Sequence, residues 1–208
     1  MLNKSRLENL SDGLFAIVLT LIVFDITIPA VSGMPSNQLL WAELVQLVPL
    51  LVEFLLSFLV LAMFWISHNF FYSYFAKTIN RELMLLNLLY LALISLIPFS
   101  ARVLGTYFGT PLAADVYGFN VFLISATNLF ILIYALRSHE IETAQVPSRL
   151  LKQAKIRSYL TTVSALLGII VAWVWVPLAL AFYVLPLVFN IVPGSLNALE
   201  HLFGFQLD

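Results

Sequence analysis

Apolar residues fill this chain in long uncharged blocks broken by short polar stretches. From Gly13 to Phe24 there is no charge; Asp25 interrupts, and the apolar run resumes to Ile28. Counted from Leu10, that block is about 20 residues, which at ~1.5 Å per residue crosses the ~30 Å hydrocarbon core of a bilayer. A second block runs from Val45 to Ile66, with Trp41 and Trp65 near its ends, where indole rings favour the membrane interface. It continues as an amphipathic tail through His68 to Lys77. Asn80-Arg81-Glu82 opens a third block, which carries Asn87 and Pro98 and is closed by Gly105, Gly109 and Pro111. A fourth ends at the charged Arg137-Ser138-His139-Glu140.

From Ser158 to Val192 no charge occurs at all. A single helix of that length would reach ~52 Å and overshoot the bilayer core, so the chain must turn back on itself. Trp173, Trp175 and Pro177 mark the reversal, because tryptophan prefers the interface and proline suits the first turn of a helix. The pattern therefore predicts an all-α, polytopic membrane protein. It forms a single domain over residues 1–208, with six transmembrane helices at about 10–29, 45–66, 83–103, 116–136, 158–174 and 177–192. Between them, Ala30–Leu40 is read as a loop from its turn formers Ser32, Gly33, Pro35, Ser36 and Asn37. Glu140–Arg157 is read as a solvated connection, and Leu196–Asp208 as a short amphipathic end. The first helix is expected to be retained, since it carries Asp25 and lacks a small-residue cleavage site.

Composition strengthens this picture. Hydrophobic residues make up 62% of the 208 and charged residues 10%, with a mean hydropathy of +0.99, beyond the range of a soluble domain of this size. A net charge of −1 and the lack of a long basic tract exclude nucleic acid as a partner. Zero cysteines exclude disulfides, thiolate metal sites and cysteine nucleophiles. With six spans, all 10 basic residues except Arg102 fall on one side: Lys4, Arg6, Lys77, Arg81, Arg137, Arg149, Lys152, Lys155 and Arg157. The positive-inside rule then makes both termini cytoplasmic.

Chemistry-bearing residues are sparse. Ile17, Leu21 and Phe24 share one stripe of helix one, with Thr20 beside it; by itself such a stripe fits lipid contact or bundle core. Arg6, Asp12, Asp25 and Glu53 lie in or at the edge of apolar spans, where a charge costs a few kcal/mol unless paired or wetted. His68 stands far in sequence from His139 and His201, so no metal-ligand spacing exists. No Gly-x-Ser-x-Gly, His-Glu-x-x-His or phosphate-binding glycine loop occurs, so nothing supports an enzyme, a metal site or a cofactor. Nor is there a Thr-Val-Gly-Tyr-Gly carbonyl filter, an arginine-rich voltage-sensing helix or an internal repeat.

Arg6-x-x-x-Leu10-Ser11-Asp12-Gly13, running into Phe15-Ala16-Ile17-x-x-Thr20-Leu21, resembles the first-helix signature of the transmembrane protein 175 family. These are endosomal and lysosomal potassium channels and their six-helix prokaryotic relatives. The family pattern reads Arg-x-x-x-Phe-Ser-Asp, and Leu10 here replaces the phenylalanine. Trp65-x-x-His68 and Asn87-Leu88 followed by Pro98-Phe99 are secondary matches. The resemblance implies a homotetramer in the cell membrane whose central pore is lined by helix one, with potassium as the permeant ion. A hydrophobic constriction would replace a carbonyl filter. Carried over, the constriction falls on Ile17, with Leu21 and Phe24 as further rings and Thr20 as polar neighbour. Phe24 is bulkier than the leucine expected there. Arg6, Ser11 and Asp12 are implied to hold the pore helix in place through His68 and Asn87. Such a filter implies moderate potassium selectivity, because it acts through diameter and dewetting. The alternative is a proton-coupled small-solute or cation carrier using Glu53, Asp25 and His68.

Overall fold

The computed structural model describes residues 3–27, 36–141 and 146–191, and among them the chain is helical, with no strand. Helix α1 covers Lys4–Leu21 and passes into a 3₁₀ turn, Ile22–Asp25. It begins before the expected Leu10 because Asn3 caps it, its side chain accepting a bond from the Ser5 N–H at 3.0 Å. The expected end at Pro29 lies outside the described residues. Most of the expected Ala30–Leu40 loop does too, but its last part is corrected. Ser36 accepts from the Leu39 N–H at 3.2 Å and starts helix α2, Asn37–Gln46. Residues favoured in turns are also those favoured as helix caps, which is why Ser36 and Asn37 read as loop.

Helix α3, Val48–Tyr74, is one continuous element with Pro49 in its first turn, so the span expected at 45–66 starts later and absorbs most of the amphipathic tail. The span expected at 83–103 is divided into α4, Arg81–Ser95, and α5, Ile97–Thr106. The break falls at Leu96 because Pro98 has no N–H to continue the ladder; Leu96 instead turns tightly back onto the Leu93 carbonyl at 3.2 Å. Pro111 opens α6, Pro111–Arg137, rather than closing the helix before it. Helix α7, Ser148–Ala172, takes in half of the segment expected to be a solvated connection, so Arg149, Lys152, Lys155 and Arg157 ride on a helix. Residues 142–145 lie outside the described residues. Helix α8, Val176–Ile191, continues through Pro186, whose carbonyl receives the Asn190 side-chain amide at 2.8 Å. The expected end at 192, the tail 196–208 and His201 fall outside the described residues.

Among the described residues, five helical stretches are long and apolar enough to cross a bilayer: Lys4–Asp25, Val48–Tyr74, Arg81–Thr106, Pro111–Arg137 and Ser148–Ala172. The sixth segment, Val176–Asn190, is apolar but shorter. It lies antiparallel against α7, with Ser164 Oγ donating to the Phe182 carbonyl and the Asn190 amide to Thr161 Oγ1. Close approach is possible because Gly118 of α6 and Gly168 of α7 flank Tyr183; a Cβ at either glycine would overlap the ring or its hydroxyl. The Tyr183 hydroxyl donates to the Ala114 carbonyl at 3.1 Å and closes the α6–α7–α8 unit.

The chain is polytopic, and its two ends can be told apart by contact. At one end Lys4 Nζ donates to the Tyr72 carbonyl at 2.6 Å, and the Asn80 amide reaches Tyr134 Oη and Glu140. At the other, Arg102 pairs with Asp25 at 3.1 Å and the Trp173 indole donates to Asp115. Between them, Phe15, Val60, Phe64, Leu83, Tyr90, Ile94 and Tyr117 form a buried core in which α1, α3, α4 and α6 meet.

Candidate functional site

Helix α1 is held by one face only. Leu7, Ser11, Phe15, Val18 and Ile22 recur every three or four residues and are buried against the bundle. Leu10, Ile17, Leu21 and Phe24 recur at the same spacing on the other side and are left uncovered, Ile17 at 59% and Phe24 at 72% exposure. Leu19 sits partly buried against the core. Thr20 is exposed, but its hydroxyl is spent within the helix, donating to the carbonyls of Ala16 at 3.0 Å and Ile17 at 2.8 Å. Among the described residues nothing covers this apolar strip.

The buried face is anchored by a directional chain of hydrogen bonds. Ser11 Oγ donates to the Leu7 carbonyl at 2.9 Å and accepts from Asn87 Nδ2 at 3.2 Å. Asn87 Oδ1 accepts from the Tyr72 hydroxyl at 3.2 Å and lies 2.8 Å from His68 Nε2. An amide oxygen only accepts, so in this arrangement Nε2 carries the proton. The imidazole is packed among rings, stacked on Tyr90 at 5.6 Å and tilted against Tyr72 at 4.7 Å and Phe15 at 5.9 Å. Ser11, Asn87 and His68 are all buried, and three helices meet at one fully committed amide.

Of the signature residues, the structure brings Ser11, His68 and Asn87 into one network. Asp12 is not in it: its Oδ1 accepts from the Trp65 indole at 3.0 Å, a second tie between α1 and α3. Arg6 is corrected more fully. It is exposed, lines a wide recess with Leu10, Met84 and Leu88, and makes no ion pair among the described residues. Residue types alone missed Tyr72 and Tyr90, although their spacing from His68 and Asn87 on the same helices carries the signal.

Of the groups of the carrier alternative, Glu53 and Asp25 are near enough to interact, and His68 stands apart from Glu53. Glu53 is buried in α3, accepting from Ser57 at 3.1 Å, and its Oε2 lies against Gly105 without a partner. Asp25 is occupied by Arg102. Fifteen residues of α3 separate Glu53 from His68, ~22 Å along the axis.

Comparison with known proteins places these features in context. A family model described as endosomal/lysosomal potassium channel TMEM175 matches residues 6–98, from Arg6 through Pro98. A potassium channel of Streptomyces collinus is 30% identical over 185 residues, covering 87% of this chain and 88% of that one. A potassium channel of a Chryseobacterium species is 25% identical over 194 residues, covering 93% and 95%. In fold, the chain resembles the crystal structure of a lysosomal potassium-selective channel TMEM175 homologue from Chamaesiphon minutus. The TM-score is 0.74 at 24% identity, covering 89% of this chain and 95% of that one.

Proposed function

The chain belongs to the endosomal/lysosomal potassium channel TMEM175 family, and from that membership we propose that it is a moderately potassium-selective cation channel of the cell membrane, assembled as a homotetramer around α1. The observation that carries this reading is the division of α1 into two faces. One face is fixed to α3 and α4 by Phe15, Val18 and the Ser11–Asn87–His68 chain. The other presents Leu10, Ile17, Leu21 and Phe24 with nothing among the described residues to cover them. Four such helices around an axis would stack these side chains as rings, with Ile17 as the constriction and Leu21 and Phe24 as further rings. Thr20, its hydroxyl turned to its own backbone, would offer little polar surface to an ion.

A ring of aliphatic side chains cannot replace an ion's hydration shell. It discriminates by diameter and by the free energy of leaving water, which is lower for potassium than for the more tightly hydrated sodium. The anchor matters because a constriction of this kind works only if its width is fixed. Basic residues at the end that carries Lys4, Arg81 and Arg137 put that end, with both termini, in the cytoplasm.

The native sequence contains no cysteine, which makes the reading directly testable. Ile17→Cys should form disulfide-linked dimers on oxidation, and thiol reagents added to reconstituted protein should block its potassium current. Leu19→Cys should do neither. Cross-linking absent at Ile17 and current indifferent to the reagent would remove α1 from the pore.

A further inference from the structure

We infer that a cavity between α3, α6, α7 and α8 binds the phosphate of an anionic lipid headgroup through Arg157. The cavity measures about 70 Å³, several times the ~10–15 Å³ that one water requires. Ser67, Asn128, Arg157 and Ser158 line it together with Phe71, Leu132 and the exposed Ile66. Arg157 Nε is buried without a hydrogen-bond partner among the described residues. No carboxylate lines the cavity, and Arg157 forms no ion pair among the described residues.

The position of Arg157 selects the occupant. With Ala172 of α7 at the outer boundary, next to the interfacial Trp173 and Trp175, Arg157 lies ~22 Å inward. That leaves it ~5 residues inside the opposite edge of a ~30 Å core. A guanidinium at such depth costs a few kcal/mol unless something compensates its charge. A water could accept from Nε–H but would not supply negative charge. A phosphodiester does both, and the planar guanidinium matches its oxygens. Ser158 Oγ and the Asn128 amide, neither hydrogen-bonded by its side chain to another described residue, add donors in the same cavity, and Phe71 and Leu132, one turn along from Ser67 and Asn128, offer apolar surface to the adjoining carbons. Exposed Lys152 and Lys155 on the same helix would concentrate anionic lipid in that leaflet. Basic recesses between transmembrane helices on the cytoplasmic side are a recurring form of headgroup site. Free phosphate shares the chemistry but gains nothing from the apolar wall.

The test is thermal unfolding of the purified full chain in detergent, titrated separately with short-chain phosphatidylglycerol, phosphatidylcholine and inorganic phosphate. Phosphatidylglycerol should raise the midpoint in a saturable way, and the other two should not. Arg157→Gln should weaken half-saturation tenfold or more, Arg157→Lys less than that. Asn128→Leu, which fills the cavity and keeps the charge, should also abolish the response; it guards against a fold defect specific to Arg157. An equal response to phosphatidylcholine, or an undiminished one in both Arg157→Gln and Asn128→Leu, would overturn the proposal. An inorganic-phosphate shift matching that of phosphatidylglycerol would overturn the lipid assignment in favour of a free anion.

Discussion

Replacing Asn87 with alanine should loosen α1 from the bundle more than any other single polar substitution in the buried network. The substitution removes one acceptor shared by His68 Nε2–H and the Tyr72 hydroxyl, and one donor to Ser11 Oγ. Two buried donors are left without partners, at ~1–3 kcal/mol each. Hydrogen bonds between membrane helices average only ~0.6 kcal/mol, which favours the low end and gives a loss of ~2–3 kcal/mol. For a chain of this size that lowers an unfolding midpoint by ~5–10 °C. Ser11→Ala leaves only Asn87 Nδ2 orphaned and should cost ~1 kcal/mol. Because the Ser11–Asn87 bond is already gone in Asn87→Ala, the double variant should be close to Asn87→Ala alone, a non-additivity of about the Ser11→Ala effect. The assay is thermal unfolding of all four proteins in one detergent, with chemical cross-linking to follow oligomer yield. Strict additivity, or an Asn87→Ala midpoint within 2 °C of the parent (~0.5 kcal/mol), would refute the assignment of this chain of bonds as the anchor.

Gly118→Ala and Gly168→Ala should each destabilise the α6–α7–α8 unit by ~1–3 kcal/mol through overpacking against Tyr183. Since ring carbons of Tyr183 would overlap a Cβ at either glycine, Tyr183→Phe should relieve neither clash when unfolding midpoints are compared, whereas Tyr183→Ala should remove both penalties. Topology predicts that a membrane-impermeant maleimide labels Ser36→Cys on intact cells and His139→Cys only after permeabilisation. Labelling of both from one side would contradict the three crossings that separate them.

Much of this architecture was legible because the bilayer imposes it: a span must be apolar for ~20 residues, and its backbone must be satisfied within the helix. Hydropathy locates the apolar part of a helix, not its ends. Helix α7 begins at Ser148 and α1 at Lys4 because helices continue into polar sequence until a cap or a proline stops them, as Asn3 and Ser36 show. Pro98 and Pro111 were visible, yet their effect depends on whether they sit in a first turn, which a single sequence does not display. The Ser11, His68 and Asn87 contacts are implied by the family resemblance, and they are physically expected because scarce polar residues in apolar spans need partners. Asp12 with Trp65, Asp25 with Arg102, and the outward placement of Arg6 depend on how α1 is rotated against α3 and α5. That rotation is fixed by packing of Phe15, Val18 and Ile22, which are identical in type to the exposed Ile17, Leu21 and Phe24.

The pore assignment meets its most direct test in potassium and sodium reversal potentials of Ile17→Asn and Leu19→Ala, recorded in planar bilayers beside the parent chain. In a tetramer, asparagine at position 17 widens and wets four positions at once and lowers the dehydration penalty for every cation. The potassium-to-sodium permeability ratio should fall toward one while current rises. Leu19, turned toward the bundle core, should leave the ratio unchanged on replacement by alanine. An unaltered ratio in Ile17→Asn, or a collapse of selectivity in Leu19→Ala alone, would contradict a constriction built from the exposed face of α1.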